Sequence, residues 1–312
     1  MTGIFTQLMQ SLLVVTIAPL FVGWVNCTRA WLQNRRAAGV LQPYRDLHKL
    51  FIKEAVLADN ASRLFRTAPY ILFGAMWLAA GIVPVIAVDL PFAPAADAIA
   101  LVGLFALARV AMALAAMDIG TAFGHLGARR EMMVAFLAEP ALLMTFFTAS
   151  LISHSTSLTT IVNVIAHTQF TLYASMAFAA IAFLLVLLAE NARIPVDNPA
   201  THLELTMIHE AMVLEYSARH LALIEWASGT KLLVYVTIGI ALFAPWGIAQ
   251  AGAGIGIAFA ALALKLTAAG AGLALLETLL AKLRLFRVPE LMATAFLLSM
   301  IGLLTHFLLE VQ

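Results

Sequence analysis

The chain has 312 residues, of which 63% are hydrophobic and 11% charged, and its mean hydropathy is +0.97. Soluble domains carry about 25% charged residues, so this composition predicts a polytopic membrane protein. The net charge of +1 gives no indication of nucleic-acid binding, and the single cysteine, Cys27, excludes a disulfide framework and any cysteine-ligated metal or iron–sulfur cluster.

Apolar runs long enough to cross about 30 Å of hydrocarbon recur along the whole chain. They lie near residues 4–25, 70–88, 98–117, 132–153, 171–190, 232–248, 254–276 and 291–309. The first run lacks a preceding basic region and a small-residue cleavage site, so we expect a retained span rather than a signal peptide. The pattern predicts an all-α integral membrane protein with about eight transmembrane helices in a single membrane domain, 1–312.

Lysine and arginine are unevenly distributed between the connections. They are abundant in four predicted connections, at about 26–69, 118–131, 191–231 and 277–290. Neither residue type occurs in the other three, near 89–97, 154–170 and 249–253. By the positive-inside rule, we expect the four basic connections to be cytoplasmic and both termini to lie outside the cytoplasm. The predicted location is therefore the cytoplasmic (inner) membrane.

Arg109 lies well inside the third predicted span, Glu139 inside the fourth and Lys265 inside the seventh. A charge facing lipid costs about 3 kcal/mol or more, so we expect each cation to face protein or water and to have a partner. Arg109 and Lys265 are open to two interpretations, a structural ion pair or a step in a charge path. Glu139 precedes Pro140, and it is either a hydrogen-bonded side chain at a kink or part of a proton relay.

A second polar region follows the fifth span. Its residues 200–217 are predicted to be helical, which would place Glu204, Ile208, Ala211 and Glu215 on one face. Two carboxylates on one stripe can form stations along a wet channel, whereas the alternative is an ordinary solvated helix.

The first basic connection contains an amphipathic pattern at 44–54, which predicts a helix at the membrane interface. Such a helix would anchor the chain at the surface, cover a cavity or bind a partner protein. The eight histidines show no metal-ligand spacing, and no Walker, GxSxG or dinucleotide fingerprint occurs. We therefore predict no metal site and no complete catalytic centre in this chain.

Three segments, 34–56, 127–143 and 193–217, resemble the NuoH family. This family comprises subunit 1 of respiratory complex I and its relatives in membrane-bound group 4 NiFe hydrogenases, such as formate hydrogenlyase and hydrogenase-4. The segment 117–123 is similar to the pattern of the hydrogenase branch. Ala200 and His202 stand where complex I members commonly have glutamates. The resemblance thus favours the hydrogenase branch, with a quinone-binding subunit of NADH:quinone oxidoreductase as the alternative.

What the resemblance implies is a subunit that anchors a peripheral redox arm and couples it to antiporter-like proton-pumping subunits. No cofactor is expected in this chain. The NiFe centre and iron–sulfur clusters are expected in partner proteins, namely hydrogenase-like large and small subunits with iron–sulfur proteins, and the departures from complex I argue against a normal quinone site. A transporter acting alone is the third hypothesis, but no inverted repeat supports it.

Two sets of residues follow from this hypothesis. The predicted proton or charge pathway comprises Glu139, Asp197, Glu204, Glu215, Glu190, Arg109, Lys265 and Asp118. The predicted interface with the redox arm comprises Arg35, Arg36, Arg45, Asp46, Lys49, Lys53, Glu54, Arg129, Arg130, Glu131, Arg193 and Glu210.

Overall fold

A computed structural model of the chain describes residues 2–84, 97–167, 173–197, 207–247, 255–281, 283 and 287–310. Apart from one isolated bridge between Asp97 and Ser157, the regular structure in these ranges is helical. The helices are α1 (Thr2–Leu32), α2 (Gln42–Ile52), α3 (Arg63–Ile82), α4 (Ala98–Asp118), α5 (Ala122–Ser153), α6 (Leu158–His167), α7 (Ala174–Glu190), α8 (His209–Val213), α9 (Ala218–Phe243), α10 (Ile255–Leu279) and α11 (Val288–Thr305), followed by a π-helical turn, His306–Glu310.

Most of these helices can span a membrane. Among the described residues, α1, α4, α5, α9, α10 and α11 are long and apolar enough to do so, and α7 is a shorter apolar helix. α3 and α7 occupy the two remaining predicted runs. The prediction of an all-α polytopic membrane protein is therefore confirmed, while α6 lies in a connection for which no helix was predicted.

Helix α9 lies at the centre of the bundle. It contacts α1, α2, α3, α6, α7 and α10, and residues 232–238 are buried without interruption. A helix that is apolar on all sides belongs in the interior of a bundle rather than at its surface. Around α9, α3 packs on α4, α11 packs on α5 and α7, and α1 packs on α10. The largest fully buried side chain, Tyr235, belongs to α9 and stacks on Phe105 of α4.

The predicted amphipathic helix is present as α2. It lies across α9 and α1, and Phe51 packs edge-on against Trp226, with 6.2 Å between the ring centroids. Its basic side chains, Arg45, Lys49 and Lys53, are exposed. The apolar side of α2 therefore packs on the bundle while the basic side remains accessible.

The predicted helix over 200–217 is wrong in its described part. Only His209–Val213 is helical, and Glu215 lies in the turn that follows; Glu204 lies outside the described residues. The helix ends early because the next residues bind elsewhere in the bundle: Tyr216 stacks on Phe65 of α3 at 4.1 Å and donates a hydrogen bond to its carbonyl oxygen at 2.9 Å. Glu215 is consequently not on the helical face predicted for it.

A close approach between α4 and α5 gives a test of this packing. Gly124 lies in the first turn of α5, and a Cβ atom there would overlap the carbonyl oxygen of Ala116. Overpacking of this kind costs about 1–3 kcal/mol. We expect Gly124→Ala to lower the melting temperature by about 2–4 °C for each kcal/mol by which the free energy of unfolding falls.

Unfolding of the detergent-purified protein can be followed with a thiol-reactive dye, because Cys27 is the single cysteine and is buried. Gly103→Ala is the matched control, since no atom lies within 4 Å of its added Cβ. Equal melting temperatures for the two variants would contradict the predicted approach of α5 to α4.

Candidate functional site

Arg109 of α4 lies in the interior of the bundle, where its guanidinium group binds three carboxylates. Its Nη1 donates to Glu139 and its Nη2 donates to Glu190, while its Nε lies 3.6 Å from Glu131 Oε1. Glu131 and Glu139 belong to α5, and Glu190 is the last residue of α7. The side chain of Arg109 is only 3% exposed. The planar fork of arginine suits such simultaneous carboxylate binding.

Lys231 of α9 completes this group, which we call the Arg109 cluster (Arg109, Glu131, Glu139, Glu190 and Lys231). Its Nζ lies 2.9 Å from Glu190 Oε2 and donates to the Glu190 carbonyl oxygen at 2.7 Å. A cation at that carbonyl also complements the C-terminal end of α7. With every group ionised, three carboxylates face two cations, so the cluster carries one excess negative charge.

The three carboxylates of the cluster differ in their access to the surroundings. The side chain of Glu190 is 2% exposed, that of Glu131 is 17% exposed and that of Glu139 is 33% exposed. Glu139 is therefore the carboxylate of the cluster that is most accessible from outside the chain. Sequence reasoning predicted that Arg109 needs partners, and the cluster shows which residues they are.

A second buried ion-pair group, the Glu277 cluster (Arg29, Arg193 and Glu277), joins α1, α10 and the segment after α7. The side chain of Glu277 is fully buried, and its two carboxylate oxygens lie 3.1 Å from Arg29 Nη1 and 3.0 Å from Arg193 Nη1. Glu277, Arg29 and Lys231 were not among the site residues predicted from the sequence. These groups are far apart in the chain, so no spacing pattern connects them.

Each cluster lines a cavity. The larger, about 240 Å³, lies between α1, α8, α9, α10 and residues 191–197, and its lining includes all three residues of the Glu277 cluster. The smaller, about 40 Å³, is lined by four residues of the Arg109 cluster together with apolar side chains of α3 and α4. Both cavities are lined by Asn191, Ala192, His209 and Ser228. The cavities beside the two charged clusters therefore have these four residues in common.

Asp197 lies near the larger cavity rather than in either cluster. It is buried and accepts hydrogen bonds from the backbone N–H groups of Ile208 and His209, each at 3.2 Å. These two residues begin α8, so the carboxylate binds unpaired N–H groups at the start of that helix. Asp197 also lines the larger cavity, which gives this carboxylate access to the space beside the Glu277 cluster.

The remaining predicted pathway residues lie elsewhere. Glu215 and Asp118 are exposed. Burial, together with the negative charge of Asp118, raises the pKa of the Tyr216 hydroxyl, which therefore stays protonated and donates to Phe65. Lys265 of α10 lies beside the C-terminal end of α9, where its Nζ donates to the carbonyl oxygens of Ala244, at 2.7 Å, and Trp246. The structure does not bring these residues into the Arg109 cluster.

The residues predicted to contact a redox arm fall into two groups. Eight of them are exposed: Arg35, Arg36, Arg45, Asp46, Lys49, Lys53, Glu54 and Arg129. Arg130 donates to the Met207 carbonyl oxygen at 2.7 Å, and Glu210 lines the larger cavity. Glu131 and Arg193 belong to the two buried clusters. Nowhere in the described ranges do three or more His, Cys, Asp or Glu residues come together as a metal site.

Comparisons with known proteins agree with this architecture. The model of the NADH dehydrogenase family matches residues 6–307. The chain is 33% identical over 245 residues to formate hydrogenlyase subunit 4 of Escherichia coli K12, covering 78% of this chain and 79% of that protein. It is 35% identical over 244 residues to hydrogenase-4 component C of the same organism, covering 78% and 76%.

A more distant curated relative is a subunit of the NADH-quinone oxidoreductase of Rubrobacter xylanophilus, which is 30% identical over 224 residues, covering 66% of this chain and 62% of that protein. Among solved structures, a chain of the membrane-bound sulfane sulfur reductase, an archaeal respiratory membrane complex, matches with a TM-score of 0.80. The match covers 97% of this chain and 99% of that chain at 16% identity, and it shows that the two share a fold.

The Arg109 cluster makes a prediction about stability. Arg109→Gln would leave Glu190 buried with only Lys231 as a cationic partner, and removing one member of a buried ion pair costs about 3–5 kcal/mol. We expect a lower melting temperature in the Cys27 assay and partial recovery in the double variant Arg109→Gln/Glu190→Gln, because the most deeply buried carboxylate is then neutral.

The single variant Glu190→Gln completes the cycle and isolates the interaction between the two side chains. A double variant no more stable than Arg109→Gln alone would show that Arg109 does not stabilise the bundle through Glu190.

Proposed function

This chain belongs to the NADH dehydrogenase family, and on that basis we propose that it is the membrane-anchoring subunit of a respiratory complex of the formate hydrogenlyase or hydrogenase-4 type. In this proposal it links a peripheral redox arm to antiporter-like proton-pumping subunits. The arm would contact the four basic connections on the cytoplasmic side of the inner membrane, with both termini on the opposite side. The higher identity to the two hydrogenase-complex proteins than to the quinone oxidoreductase protein supports this branch.

The observation that carries the coupling role is the Arg109 cluster. One guanidinium holds carboxylates from α5 and α7, and Lys231 of α9 shares one of them. Two unit charges 4 Å apart interact by about 4 kcal/mol at an effective dielectric constant of 20. A change of one pKa unit corresponds to about 1.4 kcal/mol. Moving or neutralising one member of the cluster is therefore enough to change the proton affinity of the others.

The proposed sequence of events begins at the larger cavity. Electron transfer in the redox arm changes the charge or position of the exposed connections, and this change acts on the segment that holds Asp197 and Arg193. A shift of that segment alters the cluster through Glu190, the last residue of α7. Uptake of one proton removes the excess negative charge of the cluster, and Glu139, its most exposed carboxylate, exchanges that proton with a neighbouring subunit.

A quinone-binding subunit of NADH:quinone oxidoreductase is the alternative, supported by the relative from Rubrobacter xylanophilus. The larger cavity would be the place for a quinone headgroup. Ligand pockets for such molecules are lined mainly by apolar and aromatic side chains. This cavity instead includes six ionisable residues besides His209: Arg29, Arg193, Asp197, Glu210, Glu225 and Glu277. The lining therefore favours a hydrated space over a quinone site.

Identification of the partners tests the complex directly. We expect the tagged chain, expressed from its own locus and extracted in mild detergent, to copurify with hydrogenase-like large and small subunits, iron–sulfur proteins and antiporter-like membrane subunits. Mass spectrometry of the purified material identifies them. Recovery of an NADH-oxidising module, with quinone reduction by the extracted complex, would instead establish the alternative, and an active lone polypeptide would contradict both.

The coupling role is tested by Glu139→Gln in the assembled complex. Because the variant cannot hold the exchanged proton as a carboxylate does, we expect fewer protons translocated per electron while the complex still assembles. Proton uptake into inverted vesicles, divided by the electron-transfer rate, measures this ratio. Glu290→Gln is the control, since Glu290 is exposed at the start of α11. If Glu139→Gln translocates as many protons per electron as the wild type, Glu139 is not part of the proton pathway.

A further inference from the structure

Three exposed arginines lie where α3 and α9 begin. Arg63 and Arg66 belong to the first turn of α3, and Arg219 is the second residue of α9. The two helices pack on each other, and the stack of Phe65 on Tyr216, at 4.1 Å, joins their N-terminal ends. The three arginines therefore form one basic surface, which we call the arginine patch (Arg63, Arg66 and Arg219).

The surroundings of His220 show how close two members of the patch come to each other. His220 is buried, with 3% exposure, and the positive charges of Arg66 and Arg219 both act on it. Tyr70 packs edge-on against the same ring, with 5.8 Å between the ring centroids, and is itself 50% exposed. Two arginines and an exposed tyrosine thus lie around one buried side chain.

The arginine patch has no anionic partner in the described part of the chain. The ion pairs found there involve Arg29, Arg109, Arg193 and Lys231 as cations. Glu215, four residues before Arg219, is exposed and pairs with none of the three. Cations in the first turn also face the positive end of the helix dipole. An anion from outside the chain would therefore stabilise this arrangement of like charges.

Beyond the patch, toward the middle of α3, the outer face of that helix is apolar. Tyr70, Trp77 and Leu78 are 50%, 39% and 61% exposed, and their spacing places them on the same side of α3 as the arginines of its first turn. Gly74 lies among them, and no atom comes within 4 Å of a Cβ added there. This strip therefore contains a notch where a side chain is missing.

We propose that the arginine patch binds the phosphate of an anionic phospholipid whose acyl chains lie along the strip and fill the notch at Gly74. Guanidinium groups bind phosphate through paired hydrogen bonds, and basic sites between membrane helices suit anionic headgroups. A water-soluble protein would contact the arginines but not the apolar strip, which lies at the depth of the hydrocarbon. The continuity of charge and apolar surface therefore favours a lipid.

Native mass spectrometry of the purified complex tests this site. The tagged chain is extracted with its accompanying subunits, delipidated in detergent and titrated with phosphatidylglycerol, phosphatidylcholine or inorganic phosphate. We expect this subunit to bind phosphatidylglycerol at least fivefold more tightly than phosphatidylcholine. Arg66→Gln and Arg219→Gln should each weaken phosphatidylglycerol binding about fivefold, which is the contribution of one arginine near an anionic headgroup.

Two further variants separate the parts of the site. Arg287→Gln is the matched control, because Arg287 is also an exposed arginine at the start of a span, but its helix packs on α5 and α7. It should bind phosphatidylglycerol as the wild type does. Gly74→Leu fills the notch without meeting another side chain and improves helix propensity. It should keep the fold and weaken phosphatidylglycerol binding severalfold.

Three results would overturn the proposal. The first is equal affinity for the two lipids, or wild-type affinity for phosphatidylglycerol in both arginine variants. The second is displacement of the lipid by inorganic phosphate at the lipid's own concentration, which would assign the patch to a free anion. The third is loss of peripheral subunits from the arginine variants with unchanged lipid binding, which would make the patch a protein contact. Each is distinct from failure of the proposed coupling, which Glu139→Gln tests without involving the patch.

Discussion

The structure depends on a guanidinium group held in the interior of a membrane protein. An arginine facing lipid is costly, so the chain must bring carboxylates to it. Arg109 receives them from α5, which packs against α4, and from the C-terminal end of α7, and Lys231 extends the same network to the central helix α9. The positions of four helices are thereby fixed by one electrostatic requirement. A purely apolar interface between these helices would pack equally well but would not fix their positions relative to one another.

The same requirement leaves a charge imbalance, and this imbalance makes the cluster suitable for coupling. Three carboxylates cannot all form equally strong ion pairs with two cations, and the exposed fractions of their side chains also differ. The Glu277 cluster is also unequal, with two arginines around one carboxylate and thus one excess positive charge. The two clusters have opposite net charge and line cavities that share lining residues. A proton or a conformational change at one cluster therefore changes the electrostatic energy of the other.

The sequence was sufficient to predict the spans, the amphipathic helix and the need of Arg109 for partners, because each follows from local hydropathy or from the cost of an isolated charge. It could not identify those partners, since Glu190 is 81 positions away. The helix predicted for 200–217 is wrong in its described part because Tyr216 binds Phe65 of α3, a tertiary contact that helical periodicity cannot reveal. Glu277 was missed for a similar reason: only the fold brings Arg29 close to it.

The exposure of Glu139 bears on what must surround this protein in the membrane. Its side chain is one-third exposed, and nearby on the same helix Phe136 is 79% exposed, with Met132 and Met133 also exposed. That apolar surface is typical of contact with lipid or with another membrane protein. A partly exposed carboxylate within it is costly against lipid alone, even when it is paired with Arg109. A neighbouring subunit with polar groups at this depth would remove the cost and would also receive the proton. The surface of α5 around Glu139 is therefore where a proton-pumping partner is physically most needed.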